Sequence, residues 1–144
     1  MPNISTSNII EGIILYFDPQ ILAQLSLHRR QNSFDTNIRP YCCLKINGNI
    51  STWGQMTDTL DTHSSDFIIK NKWKKHGRSW LNSSDNMWLT CNHYLDGYDC
   101  TCIGDTSEIL TALNHTIPRD AHRLISEIGV RTLCQKIIVR GGFI

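Results

Sequence analysis

Two stretches of this chain combine side chains that could do chemistry. Between Met87 and Gly104 the sequence reads MWLTCNHYLDGYDCTCIG, and Asp96-Gly97 within it is a dipeptide favoured by two-residue hairpin turns. Folded about that turn, Met87, Leu89, Cys91 and His93 share a sheet face with Tyr98, Cys100 and Cys102, because side chains alternate along a strand. That face admits three readings. As metal ligands, Cys91, His93, Cys100 and Cys102 have the chemistry zinc prefers, but structural zinc sites usually draw a Cys pair from a tight loop rather than from flat strands. As a nucleophile, Cys91, Cys100 or Cys102 would attack with His93 as base. Asp99 projects from the other face, so no triad closes within the hairpin, and His63, His76, His115 or His122 would have to be recruited. As core, the four lie beside Leu89 and Met87, and free cysteine is among the most buried residue types. The core reading ranks first. No catalytic residue and no cofactor is assigned, with zinc kept in reserve.

The second stretch runs from Lys70 to Trp80. Lys70, Lys72, Trp73, Lys74, Lys75, His76, Arg78 and Trp80 set five cations and two indoles within eleven residues. Cations attract phosphate or carboxylate, and indoles offer flat faces on which a base or an interface can stack. Gly77 lets the backbone pass close to an anion. Without those five cations the formal charge of +1 would be −4, so positive charge is concentrated where a partner would sit. The blander reading is a solvated loop whose tryptophans anchor it to the core, and short basic runs often mean no more than that.

Positioning these residues requires a fold, and 144 residues suit one domain with a sizeable core, 1–144 as a single unit. A hydrophobic fraction of 40% and a charged fraction of 19% are those of a globular chain, and a net charge near zero excludes a globally basic nucleic-acid binder. The N-terminus lacks a basic leader, and the apolar run Ile9 to Phe17 is too short to span a bilayer. These features predict a cytoplasmic protein without membrane association, whose six cysteines stay reduced. Asp58, Asp61, Asp66, Asp85, Asp96 and Asp99 match no calcium-loop spacing and read as turn residues.

In chain order, Asn8 and Glu11 have capping-box spacing ahead of a helical stripe of Ile9, Ile10, Ile13, Ile14 and Phe17, although β-branched residues and Gly12 weaken a helix. Asp18-Pro19 starts a second helix, with Ile21, Leu22 and Leu25 inward and Arg29 and Arg30 complementing its C-terminus. Tyr41 to Trp53 forms a hairpin turning at Asn47-Gly48, with Cys42 and Cys43 on opposite faces. The hairpin at Asp96-Gly97 follows, and Asp105 with Glu108 caps a third helix. A fourth helix starts near Pro118, with Ala121, Leu124, Ile125 and Ile128 inward and Gly129 at its end, and Leu133 to Val139 reads as a buried strand. The sum is an α+β domain, a mostly antiparallel sheet of two hairpins and a C-terminal strand packed on about four short helices. The functional expectation is a small intracellular binding protein, an inhibitor or immunity-type module docking a macromolecular partner through the basic-aromatic segment. A protein partner is narrowly favoured over nucleic acid, with a Cys/His-dependent hydrolase third.

Overall fold

The computed structural model describes residues 4–76, 86–114 and 123–144. Its N-terminal stripe of isoleucines is extended, not helical. After a 3-10 turn at Thr6–Asn8, strand β1 occupies Ile14–Phe17. The pair that mimics a capping box is engaged elsewhere: the Asn8 carboxamide oxygen accepts from Ser5 N, and Glu11 Oε2 accepts from Ile46 N at 2.9 Å. Gly12 separates the two parts at φ 93°, where a Cβ would lie 2.1 Å from the Ile125 carbonyl oxygen, so only glycine fits this corner. Asp18-Pro19 behaves as its residue types dictate, the Asp18 carboxylate accepting from Gln20 N at the start of α1, Pro19–Leu22. Arg30 donates to the carbonyls of Ala23 and Leu25 just beyond α1, whereas Arg29 leaves to pair with Ile103.

Strands β2, Arg39–Asn47, and β3, Ile50–Thr57, form the anticipated antiparallel hairpin. Asn47 pairs with Ile50, so Gly48 and Asn49 are the central turn residues; Gly48 alone has positive φ (60°), as a type II′ turn requires. A bulge between Cys43 and Lys45 resets the alternation beyond it. β4, Lys74–His76, follows a 3-10 turn at Asn71–Trp73.

The second hairpin is absent. Met87 to Thr90 lies in a helix, α2 (Asn86–Thr90), and the next strands, β5 (Tyr94–Leu95) and β6 (Thr101–Asp105), pair with β3 instead of each other. Leu95 faces Met56, Thr101 faces Gly54, and the chain between them bows away from one continuous edge of β3. Gln55 brackets the bow: its N–H donates to Cys100 O at 3.0 Å, and its carbonyl accepts from Asp96 N at 2.9 Å. Asp96 does not take the positive φ that a type I′ turn needs, because the free edge of β3 already satisfies both flanks.

Asp105 caps α3, Thr106–Ile109, as its spacing predicts. The last two elements exchange roles. Arg123–Ile125 is strand β7, antiparallel to β4, and Leu133 to Val139 belongs to helix α4, Glu127–Val139. Ser126 Oγ accepts from Gly129 N and so starts α4 where the sequence places a helix end, while Val130, Leu133 and Ile137 form its buried stripe. Residues 118–121 of the expected fourth helix lie outside the described residues.

Among the described residues the result is an α+β fold with a five-stranded antiparallel sheet, a two-stranded sheet and four short helices. Both faces of the large sheet are covered. Ile14, Cys42, Leu44 and Met56 pack with Trp88, Leu133 and Ile137 on one side. Leu15, Phe17, Tyr41, Cys43 and Trp53 pack with Ile109 on the other. Adjacent Cys42 and Cys43 thus separate between two clusters, as strand alternation requires. Arg29 exchanges two backbone hydrogen bonds with Ile103, of 3.0 and 2.9 Å, and so covers β6. Among the described residues no helix is long and apolar enough to cross a membrane.

Candidate functional site

The basic segment is built into the small sheet. Trp73 is held from both sides, its N–H donating to Lys70 O at 2.9 Å and its carbonyl accepting from Ser126 N at 2.8 Å. Pairing of Lys74 with Ile125 and Lys75 with Leu124 then sends alternate side chains to opposite faces. Trp73 and Lys74 go inward, at 5% and 7% exposure, while Lys70, Lys72 and Lys75 stay in solvent. The Trp73 indole is therefore no open stacking surface. The Lys70 ammonium lies over it, 5.3 Å from the ring centroid. His76 is paired with Arg123 across the strands, and Gly77, Arg78 and Trp80 lie outside the described residues.

Lys74 is the unusual member. Its Nζ donates to Cys91 O at 2.8 Å, lies 3.2 Å from His93 Nδ1 and stands 5.1 Å from the centre of the Trp88 ring. The Arg123 guanidinium stands 5.6 Å from the same ring, and the His93 ring meets it edge-on at 4.9 Å. Burial lowers the Lys74 ammonium below its ordinary value; the Cys91 thiol opposes that fall and Arg123 adds to it. Burial, then Lys74, then Arg123 push His93 down to about 4, so the imidazole is neutral near pH 7. His93 Nδ1 lies 2.9 Å from Cys91 O as well as 3.2 Å from Lys74 Nζ, so the tautomer decides its partner: a protonated Nδ1 donates to the carbonyl, and a bare one accepts from the ammonium. Trp88 Nε1 donates to Lys75 O at 3.0 Å and so ties α2 beneath the same strand. Neither Trp88 nor Arg123 stands out in the sequence, since each reads there as part of the wrong element, and Lys74 reads only as one cation of a basic segment whose strand register the structure sets.

The sulfur and imidazole set is dispersed. Cys91 is half-buried after α2, Cys100 is inside the cluster with Met56 and Leu95, and Cys102 is inside the opposite cluster beside Trp53. Burial pushes the Cys100 and Cys102 thiols up to about 12, which disfavours the thiolate that attack or zinc ligation needs. Cys43 also rises to about 12 and Cys134 to about 11. Among the described residues no group of three or more His, Cys, Asp or Glu is placed to hold a metal ion.

A second polar centre supports the bow between β5 and β6. Gln55 Oε1 accepts from Tyr41 OH at 2.9 Å and from Gln31 Nε2 at 3.0 Å, and Gln55 Nε2 donates to Asp96 Oδ2 at 2.8 Å. Its members satisfy one another, which is the behaviour of a structural network. A cavity of about 420 Å³ lies elsewhere, between Ser7, Ile46, Asn49, Asp105 and Ser107, with no cation on its walls. Comparison of the chain with known protein families, with curated proteins and with solved structures yields no match.

Proposed function

We propose that this protein binds a polyanionic macromolecule, nucleic acid ahead of an acidic protein surface, through the lysine ledge Lys70, Lys72 and Lys75. One observation carries the reading: the segment turns its Trp73 indole inward and leaves the Lys70, Lys72 and Lys75 side chains in water. Protein hot spots depend on aromatic and Arg anchors that become buried on binding, and the Trp73 indole is already buried within the fold. Exposed ammonium groups are point charges suited to phosphate, whose contacts position a nucleic acid without reading its sequence. Lys74 and Trp88 act beneath the ledge, fixing the backbone of Cys91 and Lys75. The negative balance of the remaining chain orients an approaching polyanion toward this edge. Six unpaired cysteines support a reducing, cytoplasmic setting.

A protein partner, as for an inhibitor or immunity-type module, is the second reading. Ile128 favours it, since this side chain is 68% exposed on the first turn of α4, adjacent to the Gly129 that packs on Trp73.

The test is fluorescence anisotropy with a labelled oligonucleotide from about 50 to 200 mM salt. Wild-type affinity should fall linearly on logarithmic axes. A Lys70→Glu, Lys72→Glu, Lys75→Glu variant should bind more weakly, with a slope smaller by about 2, at roughly 0.7–0.9 for each phosphate no longer neutralised. Salt-independent binding, or a triple variant indistinguishable from wild type, refutes the nucleic-acid reading.

A further inference from the structure

We infer that Phe143, stacked on the Arg29 guanidinium, is a platform for an unpaired nucleobase, so that the nucleic acid is taken single-stranded. This rests on the reading above and names the form of its partner. Phe143 is 54% exposed, yet the backbone that carries it is fixed on both sides. Before it, Gly142 N donates to Ile137 O at 2.8 Å, and a Cβ at Gly142 would lie 2.1 Å from Tyr98 O, so the chain is pressed against the bow that precedes β6. At the residue itself, buried Thr101 donates through Oγ1 to Phe143 O at 3.0 Å. After it, Ile144 packs into the cluster beneath α4. An isolated exposed phenylalanine needs no explanation, but this one is carried on a backbone anchored at Gly142, at its own carbonyl and at Ile144.

The Arg29 guanidinium carbon lies 4.1 Å from the ring centroid, and its own backbone is pinned by the two bonds to Ile103. Its Nε is buried with no hydrogen-bond partner among the described residues. A planar cation on a preset aromatic ring suits a ligand that is flat and anionic at once, the base meeting the rings and a neighbouring phosphate meeting the charge. Tyr98, whose carbonyl oxygen lies against Gly142, is itself partly exposed. Bases in a duplex are stacked on one another and offer only their edges, whereas an unpaired base offers its face. α4 starts where Ser126 N meets Trp73 O and ends four residues before Phe143, a rise of roughly 20 Å for its 13 residues, within the reach of the 4–16 nucleotides that single-strand binders cover.

The experiment compares wild type, Phe143→Ala, Phe143→Trp and the Lys70, Lys72, Lys75 triple variant on three labelled probes. These are an oligouridine of about 12 nucleotides, an abasic oligomer with the same phosphates, and a duplex of the same length, in low salt. Phe143→Ala should weaken oligouridine binding by about 5- to 100-fold, leave the abasic probe and the salt slope unchanged, and be rescued by Phe143→Trp. The triple variant should weaken both single strands. If Phe143→Ala matches wild type on oligouridine while the triple variant loses affinity, the platform is wrong and the ledge stands. Equal losses on oligouridine and abasic probes, or a duplex bound as tightly as oligouridine, overturn the platform too. If wild type binds none of the probes, the nucleic-acid reading falls first and takes the platform with it. Circular dichroism checks that each variant is folded.

Discussion

Lys74 shows how one side chain can belong to a basic motif and yet serve the interior. Residue type alone groups it with Lys70, Lys72 and Lys75, but strand alternation buries it against Trp88 and His93, where its charge acts on the imidazole and not on a visitor. The consequence is a pH dependence with a definite sign. His93 titrates near 4 in the fold against 6.5 as a free side chain, so between those values the unfolded chain binds more protons and stability falls as the pH drops. Wild type should lose about 2 kcal/mol more than His93→Gln when chemical denaturation is compared at pH 7 and pH 5, at 1.36 kcal/mol per pKa unit. Equal losses in the two proteins would mean that His93 does not carry this limb. The cysteines make the same point in reverse: Cys100 and Cys102 look like a reactive pair two residues apart, but they are buried in different clusters.

At the scale of elements, local chemistry was decisive where it acted on its own backbone. Asp18-Pro19 and Asp105 each begin a helix because a carboxylate two or three residues from free N–H groups needs no distant partner. It failed where a neighbouring strand competed. The isoleucine stripe at the N-terminus satisfies helical spacing, but β2 offers it an edge, and Gly12 lets the chain turn onto that edge. Gly12→Ala should therefore be among the most damaging small substitutions: backbone strain at this φ costs about 1–3 kcal/mol, and a Cβ 2.1 Å from Ile125 O adds to it. In urea the midpoint should fall with the slope unchanged, and a midpoint equal to wild type would show that the corner relaxes freely. The C-terminal half erred through a one-residue cue. Gly129 resembles a helix end, but Ser126 caps α4 three residues earlier, and the glycine is needed because Trp73 packs where its side chain would be.

The whole molecule is organised by one sheet with a core on each face. β2 sends Cys42 and Leu44 to one cluster and Tyr41 and Cys43 to the other, so neither cluster can loosen without disturbing the strand they share. Leu133→Ala, which empties a fully buried position under α4, should cost about 2–5 kcal/mol. Loss of helical circular dichroism and of tryptophan fluorescence should remain coincident in that variant, since Trp53 reports one cluster and Trp73 and Trp88 the other. Two separated midpoints would instead mean that the faces unfold independently.

Composition and local pattern by themselves determined the α+β class, the hairpin of Tyr41 to Trp53 with its turn set one residue early at Asn47-Gly48, the capped starts of α1 and α3 and the opposed faces of Cys42 and Cys43. Each depends on spacing along a few residues, which is written in the chain. Only the tertiary structure decided that Asp96-Gly97 would bow along β3, that Leu133 to Val139 would be helical, and that Lys74 would be interior while Phe143 remained in water. Those outcomes depend on which edge or cavity the rest of the molecule offers, because an apolar run of this length suits a helix or a strand equally until a distant surface supplies its partner.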